Sequence, residues 1–476
     1  MPSPSFLDLP HEHFDPAQRF PDDFVWGVAT SSFQIEGAAA VDERGESIWD
    51  RFCRQPGAIA DGSDGRVACD HVHRLDSDLD LIAALGVDAY RFSVSWPRVQ
   101  PAGRGAWNAR GLDFYERLVD GLLKRGVAPY LTLNHWDLPQ ALQDDGGWAA
   151  RDTVHRFVDY ARGMLRHLGE RVAAVTTHNE PWVIAHLGHE TGQFAPGIAS
   201  RAVAAQVRHH LLLSHGLALQ ALRADGCRSR LGLVLNLAPV QPATAHAADL
   251  ARARLEDGRL LRVYMDPLFG RGYPADVSAD LGADAPQVEP GDMATIATPM
   301  DFLGVNYYSR TVVSAGAPFD VHSSGLPITD MGWEVYPEGL TDLLLRLHRD
   351  YPVPPLFVTE NGGAFADVLV DGHVHDRDRT AYIASHIAAV GAALGRGVPM
   401  AGYMVWSLLD NFEWTSGYAK RFGIVHVDYA TQRRTLKDSA RWYRRFLQHR
   451  RAARAASAAA AAAATTTALT AGGLPT

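Results

Sequence analysis

Residues 172–181 read Val-Ala-Ala-Val-Thr-Thr-His-Asn-Glu-Pro. The run starts apolar, lacks strict polar alternation and ends on a polar pair closed by proline. A strand buried on both faces has that character. Pro181 biases Glu180 towards extended geometry and marks the strand's end. Residues 356–362, Leu-Phe-Val-Thr-Glu-Asn-Gly, repeat the arrangement, with Glu360 lying 180 residues beyond Glu180 (360 − 180). One glutamate at a strand end is usually a solvated rim residue. Two, each beside an asparagine and each on its own strand, are harder to explain that way. Glycosidic-bond cleavage needs such a pair: one carboxyl to protonate the leaving oxygen, one to stabilise or attack the anomeric carbon.

Outward from these two strings, short apolar runs recur along the chain. They are Phe24–Thr30, Val87–Trp96, Ala128–Trp136, Val172–Glu180, Leu231–Pro239, Phe302–Tyr308, Leu356–Glu360 and Met400–Leu409. Amphipathic stretches such as Leu112–Lys124, Thr153–Leu168 and Ala202–Ala224 separate them. Strand–helix alternation predicts a parallel sheet. Eight units in one chain of 476 residues predict an α/β fold, a single (β/α)8 TIM barrel with long βα loops. No internal repeat and no break in composition divides the chain. The domain is expected to span 20–448, after an N-terminal extension (1–19). An Ala/Thr-rich tail (449–476) is expected to be helical in part or disordered.

Polar residues gather where the runs end. Gln34 and Glu36 follow the first and Arg91 lies in the second; His135-Trp136-Asp137 follow the third. Asn179-Glu180 close the fourth, Asn236 the fifth, Asn306-Tyr307-Tyr308 the sixth and Glu360-Asn361 the seventh. The eighth carries Trp406-Ser407, with Asp410, Asn411, Glu413 and Trp414 beyond. The C-terminal strand ends of a (β/α)8 barrel form its active-site face. Chance would not place eight polar termini there.

Net charge is −9 and no dense Lys/Arg run occurs, which argues against nucleic acid as a partner and suits a neutral small molecule. Cys53, Cys69 and Cys227 are too few and scattered for a disulfide framework, so a reducing, cytoplasmic compartment fits. The first twenty residues hold acidic residues and prolines and do not read as a signal peptide. No stretch has the roughly 20 strongly apolar residues that a membrane span needs.

The motifs resemble glycoside hydrolase family 1, the β-glucosidase and β-galactosidase group, from about Phe20 to Phe446. The resemblance rests on Phe24-Val-Trp-Gly-Val-Ala-Thr-Ser-Ser-Phe-Gln-Ile-Glu-Gly-Ala38, Tyr90-Arg-Phe-Ser-Val-Ser-Trp-Pro-Arg98, His135-Trp-Asp-Leu-Pro139, the two glutamate strings and Trp406-Ser-Leu-Leu-Asp-Asn-Phe-Glu-Trp414. Any one of them is weak; all of them in order are specific. Two positions depart from the family's pattern: His178, where an apolar residue is commoner, and Gly363 after Asn361-Gly362.

The resemblance implies a cofactor-free, retaining β-glycosidase with Glu180 as acid/base and Glu360 as nucleophile. It implies that Arg91 and the Tyr308 hydroxyl favour the charged form of Glu360, and that Asn179 meets the sugar 2-hydroxyl. Gln34, His135, Glu413 and Trp414 resemble the sugar-hydroxyl clamp, and Trp406 the floor, with a cis peptide at Trp406-Ser407. Tyr308 also borders the substrate. Trp136, Asn306 and Trp333 are weaker candidates, Trp333 for the aglycone side. Retention requires carboxyls about 5–5.5 Å apart. Glu413 would repel a phosphate, so the implied substrate is an unphosphorylated β-D-glucoside, with β-galactosides and β-fucosides in reach. A transglycosylase on the same site is the alternative. A non-catalytic sugar-binding relative is disfavoured because both glutamates are present.

Other clusters read as structural. Cys69-Asp-His71-Val-His73 fits no standard zinc spacing, and His186-Leu-Gly-His189-Glu190 lacks the H-E-x-x-H order. Asp76, Asp78 and Asp80 lack the glycine of a calcium loop and are expected on a helix's solvated face. No metal site is expected.

Overall fold

The computed structural model describes residues 20–471; the N-terminal segment 1–19 and residues 472–476 lie outside the described residues. Eight parallel strands close into a barrel. They are β1 (Val25–Ala29), β2 (Ala89–Ser93), β3 (Ala128–Asn134), β4 (Ala174–Asn179), β5 (Arg230–Asn236), β6 (Phe302–Asn306), β7 (Leu356–Asn361) and β8 (Met400–Trp406). Each neighbours its successor and β8 pairs with β1. The eight apolar runs correspond one to one with these strands. Most of the runs overshoot at their C-terminal ends because the polar residues there have left the ladder to form the rim.

The principal helices between and after the strands are α1 (Leu75–Leu85), α2 (Ala109–Lys124), α3 (Arg151–Leu168), α4 (Arg201–Ala224), α5 (Ala247–Asp257), α6 (Pro337–Asp350), α7 (Arg377–Leu394) and α8 (Asp438–Ala471). In α2 the buried residues Phe114, Tyr115, Leu118, Val119 and Leu122 recur at helical spacing, forming one stripe against the sheet. The α2 start is capped by Asn108, whose side chain accepts from the Arg110 amide at 3.2 Å. The last helix, α8, takes in most of the Ala/Thr-rich segment for which the sequence left helix and disorder open.

Asp78 corrects one expectation. Asp76 and Asp80 are exposed on α1, but Asp78 is buried. It accepts from Arg434 at 2.9 and 3.0 Å and lies 2.8 Å from His71 Nδ1. A period-two run of aspartates on a helix cannot share one face, and the middle one turned inward to find counter-charges. Among the described residues no cluster of metal-ligating side chains occurs, and no helix is long and apolar enough to cross a membrane.

The ladders break at the two glutamate strands. On β4, Thr176 pairs with Gly232 and the next match is Asn179 with Val234, three residues against two. On β7, Val358 pairs with Val305 and Glu360 with Asn306, two residues against one. Each is a bulge, which bends a strand and re-aims the side chains beyond it. The bulges lie just before Glu180 and at Glu360.

Candidate active site

β4 ends on Asn179, and Glu180 follows at φ +49°, in the left-handed region and not in the extended geometry that Pro181 predicts, because the turn into the following helix overrides that bias. Trp136 and Trp414, at +78° and +50°, share that uncommon geometry. Three non-glycine residues so placed at one end of a barrel mark a strained, over-determined rim, as functional sites commonly are. The Glu180 amide donates to Val234 O at 2.9 Å, which anchors the turn.

The Thr-Glu-Asn-Gly string on β7 has a physical account. Asn361 donates to Tyr307 O at 2.7 Å and accepts from the Tyr403 hydroxyl at 2.6 Å, tying β7 to both neighbours. A Cβ on Gly362 would meet Trp406 O at 1.7 Å, so only glycine lets the two strand ends close up. The Trp406-Ser407 peptide is cis.

Glu360 is held by two strong donors. Arg91 Nη1 reaches its Oε1 and the Tyr308 hydroxyl its Oε2, each at 2.6 Å. Arg91 Nη2 donates to Asn179 Oδ1 at 2.6 Å, so one guanidinium joins the two strings. Glu180 has a weaker partner, the Asn306 amide, at 2.5 Å from its Oε1. That amide also lies 3.0 Å from Asn179 Oδ1, and Thr359 fixes it by donating to Asn306 Oδ1 at 2.7 Å.

Burial raises both carboxyls. Glu180 goes well above the ordinary range, first through burial and then through the charge of Glu360. Glu360 is also raised by burial, but Arg91, the Tyr308 hydroxyl and Asn306 all oppose the rise. The donors are unequally shared, so the proton rests on Glu180 and the negative charge on Glu360. Burial and the same charge keep the Tyr308 phenol protonated and donating.

Asn179 settles the state of His135. Its Oδ1 is engaged by two donors, so its Nδ2 faces His135 Nε2 at 3.1 Å, and that nitrogen accepts. Nδ1 then carries the proton, and among the described residues no protein group receives it. Burial and Arg91 hold the imidazole neutral. An unpartnered buried donor beside the carboxyls is suited to a ligand hydroxyl. His135 lies between Trp406 and Trp414, at 5.9 and 6.1 Å between ring centres. Trp136 packs on Trp414 at 4.6 Å and donates to Asn179 O at 2.9 Å.

A cavity of about 470 Å³ is lined by His135, Trp136, Glu180, Asn306, Tyr308 and Glu360, and also by Trp333, Trp406, Glu413 and Trp414. Trp333 stands outward, 5.4 Å from the Tyr308 ring. Gln34 is fully buried behind Glu413. Its amide donates to Asn411 Oδ1 at 2.8 Å, Phe412 O at 2.9 Å and Glu413 Oε2 at 3.4 Å. Burial and the Glu360 charge raise the Glu413 carboxyl to about 8, with Gln34 opposing. His178 faces away from the cavity. It stacks on Phe157 at 4.3 Å and bonds Asn134 and Ser214, a neutral core histidine.

Trp182, His186 and Arg208 also line the cavity, and the sequence reading did not single them out as site residues. Trp182 lies close behind the strand end but carries no polar neighbour to mark it, and His186 and Arg208 lie farther along the chain. The signal available was the spacing of Trp182, His186 and Glu190 just past Pro181, four residues apart each time.

The sequence pattern of Glycosyl hydrolase family 1 matches residues 16–452. A β-glucosidase of Agrobacterium sp. is 45% identical over 435 residues, covering 90% of this chain and 95% of the relative. A bifunctional β-D-glucosidase/β-D-fucosidase of Bifidobacterium breve is 43% identical over 457 residues, covering 90% and 98%. The crystal structure of a psychrophilic β-glucosidase from Micrococcus antarcticus superposes with a TM-score of 0.89 at 43% identity, covering 92% of this chain and 99% of that one. The barrel and the two strings at its rim thus coincide with a match over nearly the whole chain, and the protein belongs to glycosyl hydrolase family 1.

Proposed function

We propose that the protein is a retaining β-glycosidase that hydrolyses terminal, unphosphorylated β-D-glucosides, with β-fucosides as a second class. The observation that carries this is the unequal holding of two buried carboxyls. Glu360 has a guanidinium and a phenol at 2.6 Å, whereas Glu180 has one amide and the repulsion of Glu360.

In the first step Glu360 attacks the anomeric carbon as Glu180 gives its proton to the aglycone oxygen. The glycosyl ester that forms has no charge at Glu360. The repulsion that raised Glu180 is then gone, and Glu180 becomes the base for the hydrolytic water. The amide of Asn306 donates to Glu180. A two-step, retaining route calls for carboxyls roughly 5–5.5 Å apart. Asn179 meets the 2-hydroxyl, and His135 Nδ1, Glu413 and Trp414 take the remaining sugar hydroxyls over the Trp406 floor; Gln34, expected in the clamp from sequence, is buried behind Glu413 and braces it instead. Glu413, raised to about 8, is largely protonated at neutral pH, so it offers a phosphate no counter-charge in place of the repulsion expected from sequence. Three free cysteines support a cytoplasmic setting.

The test is proton NMR of an aryl β-D-glucoside during turnover. The β-anomer of glucose should appear first and mutarotate later. Initial release of the α-anomer, or no turnover, would overturn the reading.

A further inference from the structure

The cavity extends away from Glu180 along one wall. Val183–Glu190 is a wide-turned helix, and Trp182, His186 and Glu190 from this wall line the cavity. Trp182 stacks on His186 at 4.6 Å, and His186 Nδ1 lies 3.0 Å from Glu190 Oε2. At a helical rise of about 1.5 Å per residue, the wall runs on the order of 10 Å outward from Trp182. Trp333 and Leu187 add apolar surface to it.

Four arginines line the outer end: Arg201, Arg208, Arg259 and Arg310. Three are clamped by carboxylates. Arg201 and Arg259 share Asp280, with Arg259 Nη2 at 2.5 Å, and Arg310 holds Glu334 at 2.6 and 2.8 Å. Arg208 differs. It is 7% exposed, yet among the described residues no carboxylate lies within ion-pair distance of it. Its Nε donates to the Tyr264 hydroxyl at 3.3 Å, and no described protein acceptor meets its two Nη groups. Glu190 offsets some of the positive charge without contacting it. Arg208 lines the cavity with no paired carboxylate, so its Nη groups are open to an anionic ligand there.

We propose that this outer subsite binds a carboxylate at the far end of an aromatic aglycone, with Arg208 as the specificity-determining residue. The ring lies along Trp182 and Trp333, and the carboxylate meets the two Nη groups as a bidentate pair. The inference rests on the β-glycosidase reading of the same cavity.

The experiment compares kcat/KM for 4-(2-carboxyethyl)phenyl β-D-glucoside and its carboxamide. Both release electronically similar phenols, so their ratio reports the far end alone. Arg208→Gln should lower the carboxylate-to-amide ratio about tenfold, the scale of one charged hydrogen bond, mainly through KM. Turnover of the amide should fall much less than that of the carboxylate, and Arg208→Lys should keep part of the preference. Added salt should lower the wild-type ratio. A ratio insensitive to both substitutions overturns the inference while leaving the β-glycosidase reading intact. Equal loss on both substrates in both variants also overturns it, by giving Arg208 a structural role. Wild-type protein that hydrolyses neither compound would instead remove the β-glycosidase reading beneath it.

Discussion

Nδ2 of Asn306 donates to Oε1 of Glu180 at 2.5 Å, and among the described residues no other side chain donates to that carboxyl. The same amide lowers Glu360, and it braces Asn179 at 3.0 Å. It is therefore the group through which the environments of both carboxyls are adjusted together.

Asn306→Ala removes a donor that favours the charged form of each glutamate. Both carboxyls should then titrate higher, so the acid and alkaline limbs of the kcat/KM profile should both move to higher pH. Activity at the optimum should fall about 10- to 100-fold, the scale of one hydrogen bond to a charged group. A profile that keeps its limbs, or moves to lower pH, would contradict the role given to Asn306.

Glu413 lines the cavity and is braced from behind by Gln34. Glu413→Ser should lower kcat/KM for an unphosphorylated aryl glucoside about 10- to 100-fold, because a buried hydroxyl-binding carboxyl is lost. Circular dichroism should show the fold unchanged. Undiminished turnover would remove Glu413 from the glycon site.

The eight strands and the two glutamate strings were legible because buried parallel strands are continuous apolar runs and the site sits where they end. The bulges were not legible. They are properties of strand pairing, and Val-Thr-Glu and Thr-Thr-His-Asn carry no local mark of them. Asn306 ranked low from sequence, since an asparagine at a strand end has many uses and only the fold brings it to Glu180. Asp78 was misplaced because its partner Arg434 lies 356 residues away. Trp182, His186 and Arg208 belong to a helix wall and to α4, outside the rim that strand ends define.

Asp137 offers a test of burial beside the site. It is buried and its carboxyl is raised to about 7, by burial first and then by Glu36. Ser32 donates to Oδ2 at 3.0 Å, while Oδ1 has no protein partner. Below the unfolded-state pKa near 4 both states hold the proton and nothing is lost. As pH rises from about 4 through about 7, the unfolded chain ionises freely and the folded one does not, so stability falls. Asp137→Asn should therefore be more stable than wild type by about 1–3 kcal/mol at pH 8, with little gain at pH 4. Urea denaturation at the two pH values measures this; a gain that is equal at both, or a loss at pH 8, would contradict it.

The assignment of nucleophile and acid is tested most directly by azide rescue of two variants on an activated aryl β-D-glucoside. Glu360→Ala should lose activity by several orders of magnitude, and azide should restore turnover with α-glucosyl azide as product. Glu180→Ala should form the glycosyl ester but hydrolyse it slowly, and azide should release β-glucosyl azide. If Glu360→Ala keeps most of its activity, or yields the β-azide, Glu360 is not the nucleophile and the account of the paired carboxyls fails.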